Sequence, residues 1–286
     1  MARCEVCFRR CELKEGQTGS CGARGNRGGT IRPLFYGRVS GIALDPVEKK
    51  PLARFYPGSR ILSVGSLGCN LHCAFCQNHE ISQADAEGRF CAGTEELSPE
   101  KLAALAEQTR SRGNIGVAFT YNEPLVGYEF VRDTAKAVRR KGMKNVLVTN
   151  GCAAEKVLDE VSPYIDAMNI DLKGFTDRYY RRVLQGDLNM TKAFIREAVK
   201  RCHVELTTLI IPGENDGEEE MRELSAWVAG LTDVFGGRQG CEIPLHISRF
   251  FPRYRMTDRP ATDVDRIRTL AREAEKSLRY VYRGNC

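Results

Sequence analysis

Gly65-Ser66-Leu67-Gly68-Cys69-Asn70-Leu71-His72-Cys73-Ala74-Phe75-Cys76-Gln77-Asn78 crowds three cysteines into eight residues. The apolar run Ile61-Leu62-Ser63-Val64 that leads into it predicts a strand. Cys69, Cys73 and Cys76 then fall on a loop just past a strand's carboxyl end, where parallel α/β proteins build their sites. Gly65 and Gly68 carry no Cβ and let this loop turn tightly against a ligand. A closed zinc site takes four ligands, usually from paired Cys-x2-4-Cys. Three thiolates spaced Cys-x3-Cys-x2-Cys suit instead a cubane iron-sulfur cluster with one open corner, whose fourth iron is left for another group. The competing readings are a zinc loop completed by a distant cysteine, or reduced thiols that pack as small hydrophobes.

The 286 residues have room for two average domains or one α/β barrel with an appendage, and 42% hydrophobic residues supply an ordinary core. No run approaches the eighteen or so apolar residues of a membrane helix, and the first residues lack a signal peptide's apolar stretch. A soluble, cytoplasmic protein with no membrane role is expected. Twelve cysteines in such a chain argue for metal ligands and reduced thiols. Of the net +6, residues 1–60 contribute twelve Lys and Arg against five Asp and Glu, or +7, leaving −1 for the remainder. A basic front meets an acidic partner, an anionic substrate or plain solvent; no nucleic-acid-binding fold is legible in it.

The front opens with Cys4, Cys7, Cys11 and Cys21, four cysteines within eighteen residues. That pattern reads as one closed tetrathiolate site, either zinc or a second iron-sulfur cluster serving as an electron relay. So short a segment has too few apolar residues to fold by burial, and metal binding would supply its folding free energy. The runs 31–36 and 39–44, separated by Gly37-Arg38, read as a hairpin extension, with a domain boundary at Pro57. Strands are expected over 61–64, 115–119, 145–149, 165–171, 204–211 and 243–248. Helices are expected over 98–112, 125–140, 153–161, 191–201, 217–230 and 262–276. Six βα units predict a parallel sheet curled into a partial barrel, its site at the strands' carboxyl ends. Cys91, Cys152, Cys202, Cys241 and Cys286 have no partnering spacing and read as buried thiols.

The cysteine loop, with Phe75 at the aromatic position of Cys-x3-Cys-x-aromatic-Cys, resembles the signature of the radical S-adenosylmethionine (SAM) enzymes. The resemblance implies a [4Fe-4S] cluster on Cys69, Cys73 and Cys76 with SAM on the fourth iron, and an α/β fold that is a partial (β/α)6 TIM-like barrel. It divides the chain into a cysteine-rich metal-binding and β-hairpin extension, residues 1–57, and the barrel, residues 58–286. Thr120-Tyr121-Asn122-Glu123-Pro124 stands where relatives have Gly-Gly-Glu-Pro, so Asn122 and Glu123 are expected beside the SAM amino group. Val148-Thr149-Asn150-Gly151 and Asn169-Ile170-Asp171-Leu172-Lys173 resemble the SAM-contacting strand ends of glycyl-radical activases. In those activases an aspartate stands where this chain has Val148. The cofactor-binding set implied is Phe75, Gln77, Asn122, Glu123, Thr149, Asn150, Asp171, Lys173 and His246. Lys173 would neutralise the methionine carboxylate, and His246 would bond the ribose or move a proton. Pro212-Gly213 is similar to the turn that packs on adenine.

Leu44-Asp45-Pro46-Val47-Glu48-Lys49-Lys50-Pro51-Leu52, Phe55-Tyr56-Pro57-Gly58-Ser59 and His246-Ile247-Ser248-Arg249-Phe250 resemble the AmmeMemoRadiSam-system branch, related to pyruvate formate-lyase activating enzyme. That resemblance implies an electron donor such as flavodoxin or ferredoxin, and association with Memo-type and AMMECR-type proteins. The substrate, small molecule or protein, is not readable. The alternatives are an activase acting on a protein backbone and a non-catalytic zinc-binding module.

Overall fold

The computed structural model describes residues 1–84 and 89–286. Its centre is an eight-stranded sheet: β1 (Gly41–Pro46), β2 (Arg60–Gly65), β3 (Asn114–Phe119), β4 (Lys144–Thr149), β5 (Ala167–Asp171), β6 (His203–Ile210), β7 (Leu245–Arg249) and β8 (Val281–Gly284). The strands lie side by side in chain order, β2 to β8 all parallel and β1 antiparallel at one edge. The outer strands β1 and β8 do not pair with each other, so the barrel is partial and open, as expected.

Helices α1 (Pro99–Gln108), α2 (Tyr128–Arg140), α3 (Glu155–Val161), α4 (Leu188–Arg201), α5 (Glu218–Ala229) and α6 (Val264–Glu275) follow β3 to β7 in the βα rhythm, α1 preceding β3. Ser98 caps α1 through Lys101 N, with Pro99 at the first helical position, as the sequence suggested. The fourth helix starts at Leu188 rather than 191, because Asp187 accepts the Met190 amide and supplies the cap earlier. Leu62, Val64, Val117, Phe119, Leu147, Met168, Ile170, Val204, Leu206, Leu245 and Ile247 alternate along the strands and share one large buried core with the helices' apolar residues.

The alternate side chains face the concave side. A second, smaller core sits there, where Val47, Leu52 and Phe55 of the β1–β2 connection meet Ile61, Ala118, Val146 and Ala167. The connection thus fills part of the barrel interior and is pinned there: Asn169 Nδ2 donates to Pro51 O, and the Ala53 and Arg54 amides donate to Glu205.

This corrects the hairpin expected over 31–44. Thr30–Pro33 pairs backwards with Arg24–Arg27 through the turn at Gly28-Gly29, both at positive φ, which spares them the Cβ clash. Residues 41–46 instead form the edge of the main sheet, paired with the strand that leads into the cysteine loop. The sheet therefore spans both sides of the expected division at Pro57. The 39–44 run signalled a strand correctly but not its partner. Cys152 and Cys202 are buried as expected; Cys91 and Cys286 are exposed and Cys241 is half-buried, a correction to the uniform reading as buried thiols.

Candidate active site

The cysteine loop leaves β2 at Gly65 and is held from several sides. Asn122, on the loop after β3, accepts the Ser66 amide at 3.0 Å and donates to Gly68 O at 3.0 Å. Gly68 takes φ +91°, and a Cβ there would come within 2.6 Å of Ala23 and 2.7 Å of Cys21 O, so only glycine fits. His72 N donates to Leu184 O at 3.0 Å, at the end of a π-helical turn (Tyr180–Leu184), and Arg255 N donates to Ala74 O at 2.8 Å. Phe75 is buried edge-on against Phe250, centroids 6.5 Å apart. Gln77 is exposed and joins none of these contacts among the described residues.

Cys73 is buried and Cys69 and Cys76 are half-buried. Burial pushes the Cys69 thiol well above its ordinary range, with the Glu123, Cys73 and Cys76 charges adding to it. Burial likewise raises Cys73 to about 12, Lys173 opposing and Cys76 adding. Both shifts keep Cys69 and Cys73 as neutral thiols until a cation takes the place of their protons. Donors already face them: Leu71 N stands 3.4 Å and Asn150 Nδ2 3.6 Å from Cys69 Sγ, and Cys76 Sγ lies 3.1 Å from Ser82 Oγ.

Glu123 is buried. Leu125 N and Thr149 Oγ donate to its Oε1 at 3.0 and 2.7 Å, and Asn150 N donates to Oε2 at 2.7 Å. Burial raises it to about 7 against the pull of these bonds. Glu123 and Thr149 therefore clasp the ends of β3 and β4, which fixes Asn150 over Cys69. Asn150 Nδ2 also donates to Asn70 Oδ1 at 2.9 Å, and Asn70 Nδ2 to Cys152 O at 2.7 Å.

On the concave face Asp171, Thr207, His246 and Tyr282 stand in one row across β5 to β8. Lys173 Nζ contacts Asp171 Oδ2 at 2.7 Å. Burial works against the Lys173 ammonium, but the charges of Asp171 and Cys73 outweigh it and hold its pKa above the ordinary value. His246 Nε2 donates to Glu205 Oε2 at 2.7 Å, and its ring stacks on Tyr282 at 5.1 Å. The face thus runs from a thiol, past a buried cation, to an imidazole aligned by a carboxylate.

The chain has known relatives. The family model for the radical SAM superfamily matches residues 63–225. The chain belongs to the radical SAM superfamily. It is 38% identical over 285 residues to an uncharacterised protein of Methanocaldococcus jannaschii, covering 99% of this chain and 81% of that one. Pyruvate formate-lyase 1-activating enzyme of Escherichia coli is 26% identical over 62% of this chain and 72% of its own length. The fold matches Streptococcus suis SuiB bound to S-adenosylmethionine at TM-score 0.58 and 12% identity, over 79% of this chain and 52% of that one. A domain of pyruvate-formate lyase-activating enzyme from Bacteroides vulgatus matches at TM-score 0.50 and 17% identity, over 59% of this chain and 99% of that one. This radical SAM protein is an iron-sulfur, SAM-dependent enzyme, and the family implies a [4Fe-4S] cluster and SAM. The loop thiols suit the cluster in donor type and in the N–H groups that face Cys69 Sγ.

The front cysteines lie against the same loop. Cys4 and Cys7 are buried, Cys11 and Cys21 half-buried. Burial raises Cys7 to about 11, with the Cys21 and Cys4 charges contributing, and its thiol faces the Asn70 side chain. Among the described residues no three His, Cys, Asp or Glu side chains already stand gathered to hold an ion, in the front or in the loop.

Sequence reasoning missed Asn70, Glu205 and Tyr282. Asn70 sits inside the motif but reads as a spacer. Glu205 carried a signal: a lone carboxylate in the strand Val204-Glu205-Leu206 is a buried charge that needs partners.

Proposed function

We propose that this enzyme holds SAM on a [4Fe-4S] cluster at Cys69, Cys73 and Cys76 and removes a hydrogen atom from a substrate lying on the concave face. The observation that carries the reading is the Cys69–Cys76 loop at the carboxyl end of β2, with Asn150 Nδ2 at 3.6 Å from Cys69 Sγ and the Lys173–Asp171 pair at 2.7 Å at the end of β5. The cluster, when bound, supplies the electron that splits SAM to methionine and a 5′-deoxyadenosyl radical. The chain's own residues do the rest. Lys173, kept charged by Asp171, pairs with the methionine carboxylate. Asn150 and the Leu71 amide donate to Cys69 Sγ and set the electron affinity of its cluster. Asn122 and Glu123 hold the loop that faces the SAM amino group. His246, oriented by Glu205, presents its other ring nitrogen to the ribose or the substrate.

The finer assignment is to the AmmeMemoRadiSam branch, acting in the cytoplasm with a flavodoxin- or ferredoxin-type donor and with Memo-type and AMMECR-type partners. Cys4, Cys7, Cys11 and Cys21 hold a second metal. Similarity to pyruvate formate-lyase activating enzymes favours a second reading, in which the substrate is a glycine in a protein backbone. Anaerobic incubation with SAM, a reductant and size fractions of deuterium-labelled cell extract separates the two. Label reaching 5′-deoxyadenosine from small-molecule fractions supports a metabolite, and label from protein fractions alone supports the activase. Label from no fraction, with no 5′-deoxyadenosine formed, would contradict both.

A further inference from the structure

Two of the three loop sulfurs already face donors. Cys69 Sγ has Leu71 N at 3.4 Å and Asn150 Nδ2 at 3.6 Å, and Cys76 Sγ has Ser82 Oγ at 3.1 Å. Cys73 is buried, and among the described residues no donor is bonded to its sulfur. A buried sulfur that is to carry negative charge needs one.

Tyr179 is the converse case. It is 2% exposed, and its hydroxyl is buried with no hydrogen-bond partner among the described residues. An enclosed phenol without an acceptor costs free energy until an acceptor reaches it. Burial pushes its pKa well above the ordinary value, and Cys73 is the strongest of the charges that add to the shift, ahead of Tyr180, Glu220 and Glu214. Cys73 and Tyr179 lie in one buried core.

The backbone holds the tyrosine in place. Thr176 Oγ accepts Tyr179 N at 3.3 Å and caps the turn that begins at Asp177. The ring packs on Gly174, where a Cβ would come within 2.6 Å of Tyr179 Cδ1 and 2.9 Å of Cε1, so no larger residue fits there. Gly174 directly follows Lys173, whose amide donates to Tyr180 OH at 3.2 Å. The π-helical turn Tyr180–Leu184 then carries the chain onto the cysteine loop, where His72 N donates to Leu184 O at 3.0 Å. Gly186 closes on the same loop: a Cβ there would stand 2.7 Å from Leu71 Cδ2. Tyr179 thus sits on the segment that joins the end of β5 to Leu71-His72-Cys73, and π-helical turns of this kind gather at functional sites.

We propose that Tyr179 tunes the cluster through Cys73: its hydroxyl donates to Cys73 Sγ once that sulfur is a cluster-bound thiolate. The proposal rests on the reading of Cys69, Cys73 and Cys76 as cluster ligands. Each ligand sulfur then has a donor of its own, the Leu71 amide and Asn150 on Cys69, Ser82 on Cys76 and Tyr179 on Cys73. Such bonds draw charge from a thiolate and favour the reduced cluster, so Tyr179 makes the cluster easier to reduce.

The test uses the full chain reconstituted anaerobically. Its readouts are iron content, a redox titration followed by electron paramagnetic resonance, and deuteron electron-nuclear double resonance of the reduced cluster after exchange into D2O. Tyr179→Phe should keep the iron and lower the reduction potential by about 59 mV, a tenfold fall in the equilibrium constant for one-electron reduction. It should also lose one exchangeable-hydrogen coupling that the wild type shows. Tyr179→3-fluorotyrosine, a stronger acid of nearly the same shape, should raise the potential, so the proposal does not depend on the phenylalanine variant folding. Equal potentials in all three proteins overturn the proposal. A raised Kd for SAM in Tyr179→Phe with an unchanged potential also overturns it, and assigns the hydroxyl to SAM instead. A wild type that binds no iron overturns the cluster reading and this proposal together; iron bound with no effect at Tyr179 overturns this proposal alone.

Discussion

His246 on β7 donates through Nε2 to the carboxylate of Glu205 on β6 at 2.7 Å, both on the concave face. Glu205 is fully buried and also accepts from His203 Nε2 at 2.9 Å and from the Ala53 and Arg54 amides at 2.9 and 2.8 Å. One carboxylate therefore joins β6, β7 and the connection that fills the barrel. Glu205→Ala should cost about 3–5 kcal/mol, because four donors lose their acceptor in the interior. Glu205→Gln, of the same shape, should cost less. Denaturant titration checks both, and an unchanged midpoint in the alanine variant would contradict the role.

The same residue sets an acid limit. Burial opposes its charge, but the His203 and His246 bonds and the two amides outweigh it, so Glu205 ionises at about 2 against 4.5 ordinarily. A folded-state pKa below the unfolded one gives stability that is complete above about pH 4.5 and lost as pH falls through 2. The difference is on the order of 3 kcal/mol. The wild type should lose stability over that window more steeply than Glu205→Gln, as urea midpoints between pH 2 and 5 would show. Parallel curves would exclude Glu205 as the source.

Lys173 is held charged by Asp171, whose Oδ2 lies 2.7 Å from its Nζ. Lys173→Met removes the cation and keeps the chain length. Its Kd for SAM should rise roughly tenfold or more, about 1.4 kcal/mol per decade, with iron content unchanged. Equilibrium binding to the reconstituted protein measures it, and wild-type affinity would count against the carboxylate contact.

Asn150 reaches Cys69 Sγ at 3.6 Å. Hydrogen bonds to a cluster's sulfurs favour its reduced form. Asn150→Ala should therefore lower the cluster's reduction potential while leaving four irons bound, read by a redox titration followed by electron paramagnetic resonance. A potential equal to wild type would remove Asn150 from the tuning role.

The regular βα rhythm was legible because short apolar runs mark the strands and side-chain caps mark several helix starts, at Ser98, Asp187 and Asp263. The cysteine loop was legible because ligand spacing is local. What stayed hidden was non-local. Nothing near residues 41–46 says that they pair with 60–65, and nothing near Pro51 or Ala53 says that they plug the barrel. Glu123 illustrates a second limit. The Asn-Glu-Pro string marks the site, but the sequence does not show that its carboxylate is engaged by Leu125, Thr149 and Asn150 inside the protein. Gln77, adjacent to Cys76, shows the reverse: nearness in the motif placed it in the expected set, while its side chain faces outward.

The account stands most directly on the loop thiols as ligands of the cluster that cleaves SAM. Its measurement is 5′-deoxyadenosine formed by the anaerobically reconstituted full chain with SAM and dithionite, compared with Cys69→Ala, Cys73→Ala and Cys76→Ala. The wild type should form it, and each variant should fall to the level of the protein-free control. Undiminished 5′-deoxyadenosine in any one of the three variants would contradict the assignment.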